Sequence, residues 1–509
     1  MAFTAFDPST HTSQDLVSAI LVPGTGLTIV PGSINLKYGT GTTYDSASGT
    51  STSETTYDSA SGTSTSKTSV SFYNGTLPLE IGPGILLTSG NGTPPLSNTS
   101  SSYTLSFGDS SDSGSDFDDS GSAVDPELQA VATAAFSGAG DIRDASILSF
   151  TVDVVDPNVK SIRFDLVFGS DEYPEWVNSS YVDIAAVLVN GANYALFNDQ
   201  PDQPLSVIQK NLDLGNFIDN TGNTLPIEYD GISHQLTIIA PAVMGTNHIK
   251  IGVADTGDQA YDSGLFVANV QGVGYTGAGL AQVINVTSTQ STIAPTQGDY
   301  VYELPEEEWS GVFDFSSATP GNKTIIGGPE DFIKAIFDFS LDAIQDAFYT
   351  AFNTLSSTNS LSLTTPYGEY SFAGIDIAVF QDAAYALDTY QGGDTWQAYA
   401  LYDLVFGAPS TQALTQWVIK AQSAPDFASL AEEFLQTYAP SASLEEVVGS
   451  LYGVVTGLPA SLETITSVIT ELAASGLDTS AEILAFAAEN FADTTPILGQ
   501  PILLDSTLI

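Results

Sequence analysis

Residues 161–191 read SIRFDLVFGSDEYPEWVNSSYVDIAAVLVNG, and their reading decides the fold. Ile162, Phe164, Leu166 and Phe168 alternate with Arg163, Asp165 and Val167, the period-two pattern of a half-buried strand. The alternation breaks at an acidic turn, Gly169-Ser170-Asp171-Glu172-Tyr173-Pro174-Glu175-Trp176. A second apolar run, Ile184 to Val189, follows Asp183 and closes on Asn190-Gly191, a strong hairpin signal. Two strands thus deliver Asp171, Glu172 and Asp183, with Tyr173 and Trp176, to one end of a sheet. Carboxylates crowded there repel one another unless a cation or hydrogen-bond donors compensate them.

Short apolar runs continue downstream at 194–197, 205–208, 227–229, 234–240, 248–253 and 264–270, joined by Asn/Asp/Gly turns. This rhythm predicts an antiparallel β-sandwich or jelly roll over residues 1–275. The run at 248–253 leads straight into Asp255, Asp258 and Asp262, with Gly257 permitting a tight turn that folds the three carboxylates toward one point. Upstream, TTYDSASGTSTSE (42–54) is repeated as TTYDSASGTSTSK (55–67). Ser, Thr and Gly at that density supply no core, so 42–67 reads as a loop or hairpin insertion; an extended repeat array needs a third copy. Residues 108–125 alternate Asp with Ser and Gly, and Asp112, Asp116 and Asp118 there are secondary cation candidates or a solvated acidic loop. The EF-hand register and its terminal Glu are missing from that segment.

Two of these motifs resemble a bacterial family, the choice-of-anchor L domains. Phe168-Gly169-Ser170-Asp171-Glu172-Tyr173-Pro174-Glu175-Trp176-Val177 is similar to its FVFGSxEYPEFV core, with Val182-Asp183 where the family has Asn-Asp. Gly252 to Phe266 is similar to its IADxxDxxYDSxVF segment, and Gln14 to Val17 and Gly84 to Gly90 resemble its entry segments, so the likeness spans about residues 10–275. The resemblance implies a secreted or surface-displayed β-rich module whose anchor varies between members, and it implies no activity.

The chain has 60 Asp and Glu against 10 Lys and Arg among 509 residues, a formal charge of −50. Nucleic acid and anionic membrane are disfavoured as partners, because both require basic patches; multivalent cations are favoured. Charged residues make up only 14% and hydrophobic ones 42%, which describes folded material rather than a disordered polyelectrolyte, and leaves a salt-adapted cytosolic protein as the minority alternative. With no cysteine there are no disulfides, thiolate metal sites or cysteine nucleophiles. No run approaches the roughly 20 apolar residues of a membrane span. Met1 to Pro8 lacks the basic and apolar regions of a secretory signal.

Residues 276–328 read as a Thr/Ser/Gly/Pro connector with strand-like pieces at 300–302 and 311–315, able to pair with a neighbouring molecule. Gly327-Gly328-Pro329 signals a helix start, and Phe332, Ile333, Ile336, Phe337, Leu341, Ile344, Phe348 and Phe352 form its apolar stripe. An all-α domain is therefore expected over 329–495, interrupted by a small hairpin at 361–372. It contains an internal repeat (about 396–440 and 446–491) in which Leu401-Tyr402 and Gly407 recur as Leu451-Tyr452 and Gly457. Ala400 to Trp417 resembles a domain of unknown function at the C-terminal ends of RTX and S-layer-type secreted proteins, with Ala408 at its Arg position. The tail 496–509 reads either as an uncleaved type I secretion signal or as a last strand packed on the final helix.

The inventory does not build an enzyme. His11, His234 and His248 form no HExxH motif and neighbour no nucleophile, and there is no GxSxG, P-loop or dinucleotide fingerprint. A glycosidase pair among Asp171, Glu172 and Glu175 is the enzymatic alternative, but nothing in the sequence supplies a groove or orients a sugar. Hard oxygen ligands at strand ends select calcium over softer metals, which makes Asp171, Glu172, Asp183, Asp255, Asp258 and Asp262 the metal candidates. The alternative is that Asp171 and Asp183 cap turns while the others face water. Two functions follow. One is a secreted, calcium-binding structural or adhesive protein that self-assembles into an extracellular fibre, biofilm matrix or surface layer of a bacterium. The other is a monomeric calcium-dependent, lectin-like adhesin that presents Tyr173 and Trp176 to a cell-surface glycan.

Overall fold

The computed structural model describes residues 2–509 apart from 39–41, 46–49, 54, 58–63, 67, 76, 99–124, 137, 178, 258–260, 278 and 318–319. A large β-rich region is followed by a cluster of helices. Within the first region two sheets face each other. One is built around Ser161–Ser170, flanked antiparallel by Ser263–Val273 and Leu236–Pro241, and it continues outward through Gly84–Thr88 and Val70–Tyr73 to Phe3–Ala5. The other pairs Gly245–Thr256 with Ile142–Val154 on one side and Ile184–Val189 on the other. Phe150, Phe164, Leu166, Phe168, Val187, Ile251 and Val267 interlock between them as one core. This is the sandwich that the alternating runs require.

Ser161–Ser170 is not half-buried, as its alternation implies, but buried on both faces. Val167 enters a second apolar cluster with Tyr229, Ile232 and Phe266, covered by the chain that loops back through 217–233. Arg163 is held against Asp165 (2.8 Å) and Glu303. A polar residue within an alternating strand therefore marks here a paired charge, not a wet face.

The duplicated insertion forms two hairpins, Thr42–Asp45 with Thr50–Ser53 and Thr55–Tyr57 with Ser64–Ser66.

Residues 276–393 differ most from expectation. The stretch read as a connector is a solenoid whose strands alternate between two parallel stacks. Leu280–Asn285, Tyr300–Glu303, Lys323–Ile326 and Gly368–Ala373 form one stack, in line with the sandwich sheet, because Leu280–Asn285 pairs antiparallel with Leu236–Pro241. Thr292–Ile293, Ser310–Phe315, Phe332–Phe337 and Ile377–Val379 form the other. Trp309, Phe313, Phe315, Phe337, Tyr370 and Phe372 fill the space between, with Phe315 and Tyr370 stacked at 4.8 Å.

The helix expected from Pro329 is absent: Phe332–Phe337 and Asp346–Asn353 are strands. In Phe332–Phe337 the buried residues are Ile333, Ala335 and Phe337, a period of two that the extra apolar residues Phe332 and Ile336 disguise as a helical stripe. Aromatic and β-branched side chains favour the pleated surface of a waiting parallel neighbour over an isolated helix. Asp331 fixes the turn instead, accepting from the Trp309 N–H (2.8 Å) and the Gly328 N–H (2.7 Å). The expected hairpin is present as Thr358–Thr365 with Gly368–Ala373, and Asp346–Asn353 adds to it as the edge of the long sheet.

Helices begin at Asp394, not at 329. Among the described residues this region forms two triplets: Asp394–Phe406, Thr411–Ala421 and Phe427–Tyr438, then Leu444–Thr456, Leu462–Ala474 and Ser480–Phe491. The spacing of 50 falls on their leading helices, which end at Gly407 (φ +79°) and Gly457 (φ +70°), left-handed positions suited to glycine. Trp396, Leu401, Trp417, Phe434, Val448 and Leu484 share the core. The tail forms a strand: Ile502–Leu504 pairs antiparallel with Ala384–Ala386 and extends the second solenoid stack. No helix among the described residues is long and apolar enough to cross a membrane.

Candidate functional site

The sandwich gathers its acids at one end. Asp171 follows Ser161–Ser170, Asp183 precedes Ile184–Val189, Asp255 is the penultimate residue of Gly245–Thr256, and Asp262 precedes Ser263–Val273. Since these strands belong to both sheets, their ends meet between the layers. Asp171, Glu172, Asp183, Asp255 and Asp262 are each at most 2% exposed.

Backbone and hydroxyl groups lock the frame. Asp183 accepts from the Thr256 N–H (3.2 Å) and the Ser263 hydroxyl (2.7 Å). The Asp171 N–H donates to the Asp262 carbonyl (3.1 Å), and Asp171 Oδ1 accepts from the Asp230 N–H (3.1 Å). Ser89 and Ser263 exchange hydrogen bonds across the sheet. Asp262 lies so close to Gly90 that a Cβ there would fall 1.8 Å from its Oδ2, so any larger residue would have to displace the Asp262 side chain.

Donors are nevertheless too few. Asp171 Oδ2 and Asp262 Oδ1 are buried without a hydrogen bond, and Asp255 makes none of good geometry, with Ser89 and Asp183 as its polar neighbours. Burial raises the pKa of Asp171, and Glu228, Asp262 and Asp230 push it further. Burial raises Asp255 as well, with Asp183, Asp262 and Asp144 adding to it. Asp262 rises through burial and Asp144. Asp183 also rises through burial, although its bonds to Ser263 and Thr256 oppose the change. The charged side chains that lead these shifts are all acids, and Arg143, which faces Asp255 across the strand pair, is exposed.

Sequence reasoning missed two members. Asp144 sits at the irregularity between Arg143 and Ser146 in its strand, at φ +43°. Its signal was the polar break Arg143-Asp144 at the start of an apolar run. Glu228 stands between the fully buried Ile227 and Tyr229, an acid flanked by core residues, and burial with Asp262 and Asp230 pushes it up to about 9. Asp258, Asp112, Asp116 and Asp118 lie outside the described residues. Among the described residues no group of three or more His, Asp or Glu side chains is gathered as a formed metal site would be. The acids are near enough to perturb one another and are not drawn to a common point.

The two aromatic candidates part company. Trp176 is 37% exposed and packs with Tyr181 (5.8 Å) and Tyr261 (6.0 Å) on the surface of the acidic end. Tyr173 is partly buried against the sandwich core and hydrogen-bonded to Asp219.

A second set of buried acids, unread in the sequence, lies where the solenoid meets the helices. Asp376 accepts from the Ile333 N–H (2.6 Å) and Asp388 from the Thr395 N–H (2.9 Å), while burial, Asp388 and Glu308 push Asp394 to about 7.

The described residues thus form a two-layer antiparallel sandwich whose acids are buried at one end. Residues 40–270 match the family model described as the choice-of-anchor L domain, so the N-terminal part of the chain is similar to a domain of secreted or cell-surface bacterial proteins. The family is a surface and structural one, not a known family of enzymes. The match includes none of the helical region. No curated protein matches the chain.

Proposed function

We propose that this is a calcium-stabilised structural protein of the bacterial surface or extracellular matrix that assembles with copies of itself. One observation carries the reading: Asp171 Oδ2 and Asp262 Oδ1 are buried at the sandwich end without a hydrogen bond, and the charged neighbours that raise these groups are acids. A charge in that position is tolerated only when it is neutralised by a proton or paired with a cation. Carboxylates on loops joined to strand ends are the hard, adjustable ligand set that calcium takes, and Asp171, Asp255 and Asp262, with Asp183 and Glu172, would close on the ion. Binding to the folded state alone stabilises that state, and extracellular calcium is abundant enough to load a weak site.

Assembly is supported by the long sheet's last strand, Asp346–Asn353. It is uncharged after Asp346 and exposes Phe348 (56%) and Phe352 (44%) beside an open backbone ladder. Edges of this kind recruit further strands. Calcium would also screen the repulsion between copies that each carry −50. The exposed Trp176–Tyr181–Tyr261 group favours the second reading, a monomer that presents this end to a glycan.

Calorimetry with excess chelator and with millimolar calcium tests the proposal, alongside light scattering and negative-stain imaging. A higher midpoint with calcium and ordered polymers are expected. Identical midpoints discard the calcium centre, and a monodisperse solution with a raised midpoint favours the monomeric reading.

A further inference from the structure

A cleft of about 370 Å³ opens where the sandwich joins the solenoid, within the roughly 300–1,000 Å³ range of ligand sites. It lies among the chain after Phe197, the loop at 213–216, the first solenoid strand and the turns at 297–300 and 320–321. Asn216, Gln282 and Gln297 line it, and their side-chain amides make no hydrogen bond among the described residues. An amide carries two donors and an acceptor, so three such groups in one cleft offer both kinds of partner at fixed points. Leu214, Tyr300 and Pro320 supply apolar surface between them.

Charge narrows the ligand. Lys323, behind Tyr300, is committed to the carbonyls of Gly298 (2.6 Å) and Gly321 (2.9 Å), and burial lowers its pKa to about 8. Of the two acids lining the cleft, Asp213 accepts from Gln209 (2.8 Å) and Asp299 from the Asn322 N–H (2.7 Å). Among the described residues the cleft therefore offers an anion no free cation, and it lies in a strongly acidic molecule. What fits free amides beside apolar patches is an uncharged molecule dense in hydroxyls with apolar C–H faces. The geometry points to a binding site for a neutral sugar unit of a polysaccharide, held by Asn216, Gln282 and Gln297 against Tyr300 and Leu214.

No residue of this cleft belongs to the acidic centre, so the two readings fail independently. The test is titration calorimetry of the full chain, with and without calcium, using maltotetraose, cellotetraose and chitotetraose as neutral probes and a tetragalacturonate of similar size as the anionic one. Millimolar or tighter binding of at least one neutral probe is expected, with the anionic probe at least about tenfold weaker. Gln282→Ala and Gln297→Ala should each weaken the neutral probe about tenfold, the loss of hydrogen bonds from a polar site, while leaving the melting midpoint unchanged. Absence of binding by every neutral probe at about 10 mM overturns the proposal. Equal binding of the anionic probe, or affinity untouched by both substitutions, does so as well.

Discussion

One strand carries two solutions to the same difficulty. Near its start, Asp165 and the neighbouring Glu303 are compensated by the chain's own cation, Arg163, and Asp165 also accepts from Asn269 (2.8 Å) and Thr237 (3.0 Å). Burial works to lower the Arg163 pKa, but Asp165, Tyr275 and Glu303 more than reverse it. Ten residues along from Ser161, Asp171 enters a group at least as buried, in which every neighbour that contributes charge is another acid. Where this protein supplies its own counter-charge, every carboxylate is paired. Where it supplies none, a few hydrogen bonds hold the acids and burial raises their pKa values; the proposed calcium would take the place of the protons they then carry. The junction acids Asp376 and Asp388 are intermediate, each held by a backbone N–H.

Breaking the self-compensated end should have the largest effect. Arg163→Met leaves Asp165 buried without its partner and is expected to cost about 3–5 kcal/mol in urea unfolding, equally with calcium and with chelator. If the loss depends on calcium, the two ends are not independent.

The uncompensated end should respond to calcium. At a hundredfold excess over the dissociation constant the gain is about 2.7 kcal/mol, a rise of roughly 5–10 °C in melting midpoint. Asp255→Asn should abolish that rise and Asp388→Asn should preserve it, both read by calorimetry. A rise that survives in the Asp255 variant removes this residue from the site.

Protons sharpen the contrast next. Glu228 is pushed up to about 9 from an ordinary value of 4.5, and Asp394 to about 7 from 3.8. Groups raised in this way stabilise the fold fully below their unfolded pKa and lose that contribution as pH rises through the folded value. Each extra proton held by the folded chain tilts stability by about 1.4 kcal/mol per pH unit. In chelator the midpoint should therefore fall between pH 5 and pH 8, and calcium, taking the place of protons at the sandwich end, should flatten that fall. A chelated protein more stable at pH 8 than at pH 5 contradicts this.

The smallest change in stability is expected from Phe348→Lys, within about 0.5 kcal/mol, because the side chain is mostly exposed. Its effect belongs to assembly: a charge on the open edge should suppress calcium-dependent scattering. Undiminished polymers would place the contact elsewhere.

The sandwich was legible because its strands alternate and its turns are marked by Asn, Asp and Gly; Asn190-Gly191 and the 248–253 run fall where the pattern puts them. Asp171, Asp183, Asp255 and Asp262 were legible because each adjoins a strand end. Asp144 and Glu228 were hidden, since burial arises from chain brought back over them, which local pattern does not record. The solenoid was hidden for a related reason. Its strands are short, their partners lie a coil away, and parallel stacking leaves no hairpin signal. Phe332 and Ile336 then supplied a false helical stripe.

The tail strand has a consequence for the order of events. Ile502–Leu504 completes a sheet whose previous member, Ala384–Ala386, emerges more than a hundred residues earlier. While the chain is being made, that seam stays unzipped until the intervening helices have been delivered. That edge of the second stack therefore rests on a contact between strands more than a hundred residues apart, which only chain brought back past the helices can supply.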